Sequence, residues 1–283
     1  MQIYQTRAVL QEALAQFRRT GKSIALVPTM GNLHAGHLAL VAAARAECDI
    51  VLATIFINPL QFGPSEDLSS YPRTLDADIA GLTASACDAV FIPATTEMYP
   101  NGLDNQTLVS VPGLTARHCG ASRPGHFDGV CTVVSKLLHL TGPDAAFFGE
   151  KDYQQLQVIR KMVSDLCMPV IIRGVPVQRS EDGLALSSRN GYLTDAEREV
   201  APLLQQQLVS TRDSIVAGNT DYAALESAGM QALATAGFRP DYIAVCDAAT
   251  LEPATAANTD LVILAAAWLG KTRLIDNITL QRA

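Results

Sequence analysis

The chain has 283 residues, 48% hydrophobic and 17% charged, the composition of an ordinary folded protein and not of a polar, highly charged disordered one. Its net charge of −7, from 21 basic and 28 acidic residues, comes with no basic tract, so no nucleic acid is expected as a partner and small anions must be met by local clusters of positive groups. No secretory signal opens the chain, its longest apolar run (Leu261 to Leu269) falls far short of the roughly 20 residues of a membrane helix, and Cys48, Cys87, Cys119, Cys131, Cys167 and Cys246 lack CxxC spacing; a cytoplasmic protein without a membrane partner is expected.

Val9, Leu10, Ala13, Leu14 and Phe17 share a helical face between Thr6 and Gly21, which predicts a first helix. The apolar run Ile24 to Val27 reads as a strand. It breaks into Pro28-Thr29-Met30-Gly31-Asn32-Leu33-His34-Ala35-Gly36-His37 and then into the apolar Leu38 to Val41, the order strand, glycine-bearing turn, helix. Further strands are expected at Val51 to Ile57, Ala89 to Ile92, Ala145 to Phe148 and Val170 to Val175, with helices at Leu38 to Glu47, Thr74 to Ser85 and Val130 to Leu140. Short apolar strands alternating with helices predict a doubly wound α/β domain with a parallel sheet, over residues 1–176, in which ligands bind where strands end.

Beyond Val175 the pattern changes, and residues 177–283 read as a smaller α+β domain. Thr194-Asp195-Ala196-Glu197 is a capping box, Pro202 should kink or divide the helix it opens, and a further helix should start at Thr220 or Asp221 and end near Gly237. Tyr242 to Cys246, Leu261 to Trp268 and Thr272 to Leu280, the last two joined through Gly270-Lys271, predict a small antiparallel sheet.

The turn after the first strand carries most of the functional reading. Its glycines let backbone approach an anion, a helix start offers unpaired N–H groups, and imidazoles at His34 and His37 share a face if the chain is helical from Ala35. Three readings stand: the histidines cap the turn without chemistry; they bind a metal, for which no third ligand is in sight; or they donate to nucleotide phosphates and stabilise charge on departing pyrophosphate. The position directly after a strand favours the third. Asn58-Pro59-Leu60-Gln61-Phe62 is either a plain Asn-Pro turn or a site where the neutral amide of Gln61 donates to a carboxylate or hydroxyl.

Gly149-Glu150-Lys151-Asp152 follows another strand and is either a solvated charged loop or a phosphate site, with Gln155 on the helix face of Lys151. Leu186-Ser187-Ser188-Arg189 is either a surface turn or a clamp that closes over a triphosphate, with 63–71 a candidate to assist; His126 reads as structural.

In order, PTMGNLHAGH, IFINPLQF, RPGHFDGV, FFGEKDYQQL, DGLALSSRNGYL and AAWLGKTRLIDN resemble the pantothenate synthetase (pantoate:β-alanine ligase) family nearly from end to end. The resemblance implies a Rossmann-like domain of nucleotidyltransferase type with a smaller C-terminal domain carrying the closing loop, a cytoplasmic homodimer, and the use of ATP with Mg²⁺ to adenylate pantoate before β-alanine displaces AMP. It implies ATP contacts at Met30, Gly31, Asn32, Leu33, His34, Ala35, Gly36, His37, Gly149, Glu150, Lys151, Asp152, Gln178, Leu186, Ser187, Ser188 and Arg189, with His37 in the position of the family's proton donor. Gln61 and Gln155 match pantoate positions and Gln61 a β-alanine position; catalysis is expected of His34, His37, Lys151 and Arg189, and no metal ligand is indicated. Ala35 stands where an acid is frequent in the family, and Gln178 where an apolar residue adjoins adenine. Two other classes are disfavoured: a nucleotidyltransferase acting on a phosphate-bearing acceptor, by the neutral amides of Gln61 and Gln155 in place of a second basic cluster, and a nucleotide-binding module without turnover, which would not need those amides together with both histidines.

Overall fold

A computed structural model describes residues 1–64 and 66–282; Ser65, inside the segment 63–71 expected to assist closure, lies outside the described residues. The chain forms two compact units, one of Met1–Glu150 and Val158–Pro176, the other of Lys151–Gln157 and Val177 onward.

In chain order the first part runs β1 (Gln2–Tyr4), α1 (Arg7–Arg19), β2 (Ile24–Thr29), α2 (Ala35–Glu47), β3 (Ile50–Ile55), α3 (Leu75–Ala84), β4 (Ala89–Phe91), α4 (Thr95–Met98), α5 (Cys119–Ser122), α6 (His126–Thr141), β5 (Ala145–Gly149), α7 (Tyr153–Asp165) and β6 (Ile171–Val175). Six strands make one sheet in the order β1-β4-β3-β2-β5-β6, every pairing parallel. Ile24, Ala25, Leu26 and Val27 are completely buried, as expected of a central strand covered on both faces. Ala25, Val27, Val51, Ala53 and Val90 pack with Val41 and Ala44 of α2 and Leu82 of α3. Elsewhere α6 lies against β2 and α1.

Since β2 has β3 on one side and β5 on the other, the winding reverses there, and the turn after β2 opens at the carboxyl ends of the strands beside that reversal. The sheet is thus the expected doubly wound one, with some boundaries moved. The strand expected to reach Ile57 ends at Ile55, and a 3₁₀ turn follows at Pro59–Gln61, where proline's missing N–H and fixed φ suit the first helical position. Helix α6 begins at His126, four residues before Val130, behind Gly125 at φ +78. The strand β1 and the short helices α4 and α5 have no counterpart among the expected elements, because three or four residues carry no measurable periodicity.

The second unit continues with α8 (Asp195–Val200), α9 (Leu203–Val216), α10 (Tyr222–Thr235), β7 (Arg239–Asp247), β8 (Asp260–Leu269) and β9 (Thr272–Gln281). The strands form an antiparallel meander, β7-β8-β9. Leu204, Leu208, Leu233, Ile243, Ile263 and Leu274 belong to its core. Thr194 and Glu197 cap α8 reciprocally, at 3.3 Å and 2.8 Å, and Pro202 separates α8 from α9. The 151–157 segment is tied into this unit by Asn277, whose Nδ2 donates to the Lys151 carbonyl at 2.9 Å, and by the Tyr153 hydroxyl, which donates to the Ala248 carbonyl at 3.0 Å. Among the described residues no helix is long and apolar enough to cross a membrane.

Candidate active site

The turn between β2 and α2 is set by its backbone. Gly31 and Asn32 both have positive φ, +82 and +51, and the N–H of Gly31 donates to Thr29 Oγ1 at 3.2 Å. Helix α2 starts at Ala35 with His34 as its N-cap. The N–H of Gly36 donates to Nδ1 of His34 at 3.1 Å, and the N–H of His34 donates to Nδ1 of His37 at 3.3 Å. Two imidazoles therefore do what a serine and a glutamate do in an ordinary capping box. The expectation of unpaired N–H groups at this helix start is corrected for these two, which the histidines themselves satisfy. A main-chain N–H can only donate, so both Nδ1 atoms accept, and in each neutral ring the proton sits on Nε2. Capping does not exclude chemistry: the cap orients the Nε2 donors, with the ring centroids 4.2 Å apart.

Gln61 lies on the 3₁₀ turn after β3 and is 9% exposed. The buried Tyr99 hydroxyl donates to Asn58 Oδ1 at 2.7 Å, which directs Asn58 Nδ2 to the Gly129 carbonyl at 3.1 Å and to Gln61 Oε1 at 3.2 Å. With its oxygen engaged, Gln61 presents its amide nitrogen, 3.1 Å from Met30 Sδ. Burial pushes the Tyr99 phenol well up from its usual range, so it stays a donor at any ordinary pH. Gly129 makes room for this turn: a Cβ there would stand 2.3 Å from the Leu60 carbonyl oxygen and 2.6 Å from the Gln61 nitrogen.

His126, read as structural, holds the same turn. Its Nδ1 lies 2.8 Å from the Gln61 carbonyl oxygen, and its Nε2 lies 3.0 Å from Arg123, which can only donate, so Nδ1 carries the proton. Arg123 pairs in turn with Glu66, at 2.7 Å and 2.5 Å. Burial acts to raise the Glu66 carboxyl, but the bonds and charge of Arg123 outweigh it and hold Glu66 below the usual range. Beside this turn, Met30, Gly31, Ile57, Pro59, Arg73 and Asp78 help line a cavity of about 510 Å³.

In the second unit, Lys151 sits in a 3₁₀ turn, Glu150–Asp152, which runs directly into α7, the helix that carries Gln155. Its ammonium is 3.7 Å from Asp152. Lys151, Ser187, Asn190 and Asp276 line one small hollow, so two expected phosphate ligands, Lys151 and Ser187, come together. Arg179 holds Asp276 at 2.6 Å and 2.9 Å, and the next residue, Asn277, grips the Lys151 carbonyl. Ser187 caps the 3₁₀ turn Ser188–Tyr192, accepting from the Arg189 N–H at 3.3 Å. The Gln178 carbonyl accepts from the Leu186 N–H at 2.9 Å.

Among the described residues no three His, Cys, Asp or Glu side chains group as metal ligands. Sequence reasoning missed Tyr99, the orienting role of Asn58, and Asp78, whose carboxylate touches the turn after β2. The available signal for Asp78 was a charge four residues before the core Leu82 of α3, a helix position where burial demands partners.

These features define an open α/β enzyme fold with imidazole and amide donors gathered at strand ends. Residues 2–279 match the family described as pantoate-beta-alanine ligase, and the chain belongs to that family. It is 59% identical over 283 residues, all of both chains, to a pantothenate synthetase of Pseudomonas savastanoi pv. phaseolicola, and 57% identical to one of Azotobacter vinelandii over 97% of each. Among solved structures, the pantothenate synthetase of Thermus thermophilus is similar with a TM-score of 0.92 and 47% identity, over 98% of this chain and 99% of that one. The pantoate-beta-alanine ligase of Francisella tularensis, solved in complex with beta-gamma ATP and beta-alanine, gives 0.82 and 33%, over 98% and 97%.

Proposed function

We propose that the enzyme joins (R)-pantoate to β-alanine at the expense of ATP, giving pantothenate, AMP and pyrophosphate through an enzyme-bound pantoyl adenylate. The observation that carries this reading is the oriented donor set in the first unit: two imidazoles on the turn after β2 and the neutral amide of Gln61, set by Asn58 and Tyr99. Family membership over residues 2–279 supports it.

In the first step a pantoate carboxylate oxygen attacks the α-phosphorus, the bond to the β-phosphate oxygen breaks, and pyrophosphate leaves with the bond's electron pair. An anion is approaching a polyanion, so positive and hydrogen-bonding groups must converge. His34, His37, Lys151 and Arg189 are proposed to supply them, each on the order of 3 kcal/mol if it resembles other oxyanion donors. Further ATP contacts are proposed at Met30, Gly31, Asn32, Leu33, Ala35, Gly36, Gly149, Glu150, Asp152, Gln178, Leu186, Ser187 and Ser188. The two amides, Gln61 and Gln155, hold pantoate, and Gln61 also meets β-alanine; an amide binds these carboxylates and hydroxyls without burying a full charge. In the second step the neutral amine of β-alanine attacks the carbonyl carbon of the mixed anhydride, the carbon–oxygen bond to phosphate breaks, AMP departs with its electron pair, and the amine's surplus proton is released. Mg²⁺, which commonly keeps phosphate and water ligands, would come bound to ATP and would neutralise phosphate charge. The cytoplasm, on the scattered cysteines and the resemblance, and a homodimeric state, on the resemblance alone, belong to the same proposal.

Incubation with ATP, Mg²⁺ and pantoate but no β-alanine tests it. Pantoate-dependent pyrophosphate, with AMP and pantothenate following only on addition of β-alanine, is the expected result; no pyrophosphate from folded, ATP-binding enzyme would refute it.

A further inference from the structure

We propose that Asp78 is a positioning residue, which fixes the histidine-bearing turn by filling the turn's own main-chain anion site. The two successive positive-φ residues Gly31 and Asn32 aim the N–H groups of Asn32 and Leu33 to one side, a concavity of the kind that takes an anion. In this chain the anion is internal. Asp78, 3% exposed on α3, accepts from the Asn32 N–H at 2.9 Å through Oδ2 and from the Leu33 N–H at 2.8 Å through Oδ1. The hydroxyl of Thr74 adds a third donor, at 3.1 Å to Oδ1.

The glycine at 31 is required by this arrangement. A Cβ there would stand 3.0 Å from Asp78 Oδ2 and 3.1 Å from Ile55 Cγ2, in a backbone conformation that side chains disfavour. Gly31 thus brings backbone close to the carboxylate of Asp78, and the N–H groups of Asn32 and Leu33 are already engaged by it. The ATP contacts proposed at Asn32 and Leu33 therefore run through atoms other than these N–H groups, and phosphate contact falls to His34 and His37, whose rings are capped onto the start of α2 immediately after the residues that Asp78 grips. A carboxylate at a core-facing position of α3 is costly in a role that leucine or alanine could fill, unless its acceptor geometry is used. Holding the turn is that use, and it sets where the imidazoles point.

This assignment rests on the proposed adenylation for its kinetic consequence, and its test separates the two. Asp78→Asn replaces one acceptor oxygen with an NH₂ that faces a main-chain N–H; Thr74→Val removes the third donor and leaves the carboxylate. In the full-length enzyme, pantoate-dependent pyrophosphate release and amide hydrogen exchange across residues 24–34 are measured for wild type and both variants. Asp78→Asn is expected to lower kcat by on the order of 10², as for misplaced catalytic groups. The ATP KM should move less than about threefold, because a misaimed donor is missed mainly in the transition state. Exchange at Asn32 and Leu33 should quicken while β2 stays protected, and Thr74→Val should show the same pattern more weakly.

Wild-type kcat in folded Asp78→Asn, a loss confined to KM, or faster exchange throughout β2 and α3 would overturn the assignment. If Asp78→Asn does not fold, Thr74→Val decides: unchanged kcat and unchanged Asn32 exchange overturn it. An inactive wild type would refute the adenylation reading, and the exchange of Asn32 and Leu33 would still decide whether Asp78 holds the turn.

Discussion

The main-chain N–H of His34 donates to Nδ1 of His37 at 3.3 Å, while Nδ1 of His34 accepts from the N–H of Gly36 at 3.1 Å. Each ring is thereby fixed by a donor that cannot reverse its role, and Nε2 is left as the proton-bearing atom of the neutral ring. In the proposed adenylation, a ring in this state gives a hydrogen bond to developing negative charge. Nothing in that role requires it to surrender its proton.

His37→Ala should therefore lower the adenylation rate by roughly 10² or more, the scale of a lost oxyanion donor. His37→Gln, whose amide nitrogen can approach the position of Nε2, should recover part of the loss, and His37→Asn, which is shorter, should recover less. Pre-steady-state pyrophosphate release measures all three. Equal rates for the glutamine and alanine variants would rule out hydrogen-bond donation as the contribution of His37.

Gly129→Ala places a methyl group against the backbone of the turn that carries Gln61. Overpacking of this kind costs about 1–3 kcal/mol, and the contacted atoms are main chain, so relief has to move the turn. A lower Tm together with a raised pantoate KM is expected. Thermal unfolding and steady-state kinetics check the pair; an unchanged pantoate KM would separate Gln61 from pantoate binding.

Tyr99→Phe removes the donor that orients Asn58 and leaves a buried amide oxygen without it. The cost is about 1–3 kcal/mol of stability, with a weaker hold on Gln61 and hence a higher pantoate KM. Denaturant unfolding and the pantoate dependence of the rate read both effects. Because burial raises the Tyr99 phenol, the wild-type contact should show no titration between about pH 6 and 9, and a spectroscopic tyrosinate signal from Tyr99 in that range would contradict it.

Thiol labelling should follow burial. Cys167 is exposed, while Cys48, Cys87, Cys131 and Cys246 are buried, and burial pushes the Cys131 thiol up to about 12. A thiolate is the reactive form, so iodoacetamide at about pH 8 should modify native enzyme first at Cys167 and leave Cys131 intact until the chain unfolds. Peptide mass spectrometry gives the order, and early alkylation of Cys131 would contradict its burial in α6.

Much of the fold was legible because its signals are periodic and local. The completely buried Ile24 to Val27 read as a two-sided strand, Thr194 and Glu197 as a cap, and Pro202 as a break, each from residues within a few positions of one another. The site was legible only as a set of side chains. That Asn277, more than a hundred residues away, grips the Lys151 carbonyl is written in no local pattern. That the N–H groups of Asn32 and Leu33 face Asp78 depends on a contact across 45 residues. Tyr99 reaches Asn58 across 41 residues. Such partners share no spacing rule, and only the folded chain brings them together.

In the proposed reaction a carboxylate oxygen of pantoate bonds to the α-phosphorus of ATP. Pantoate labelled with ¹⁸O in both carboxylate oxygens, turned over to completion with ATP and β-alanine, tests it by mass spectrometry of the products. The mechanism predicts one ¹⁸O in AMP and one retained in the amide carbonyl of pantothenate, with pyrophosphate unlabelled. Label in inorganic phosphate alongside ADP, or AMP that carries none, would contradict it.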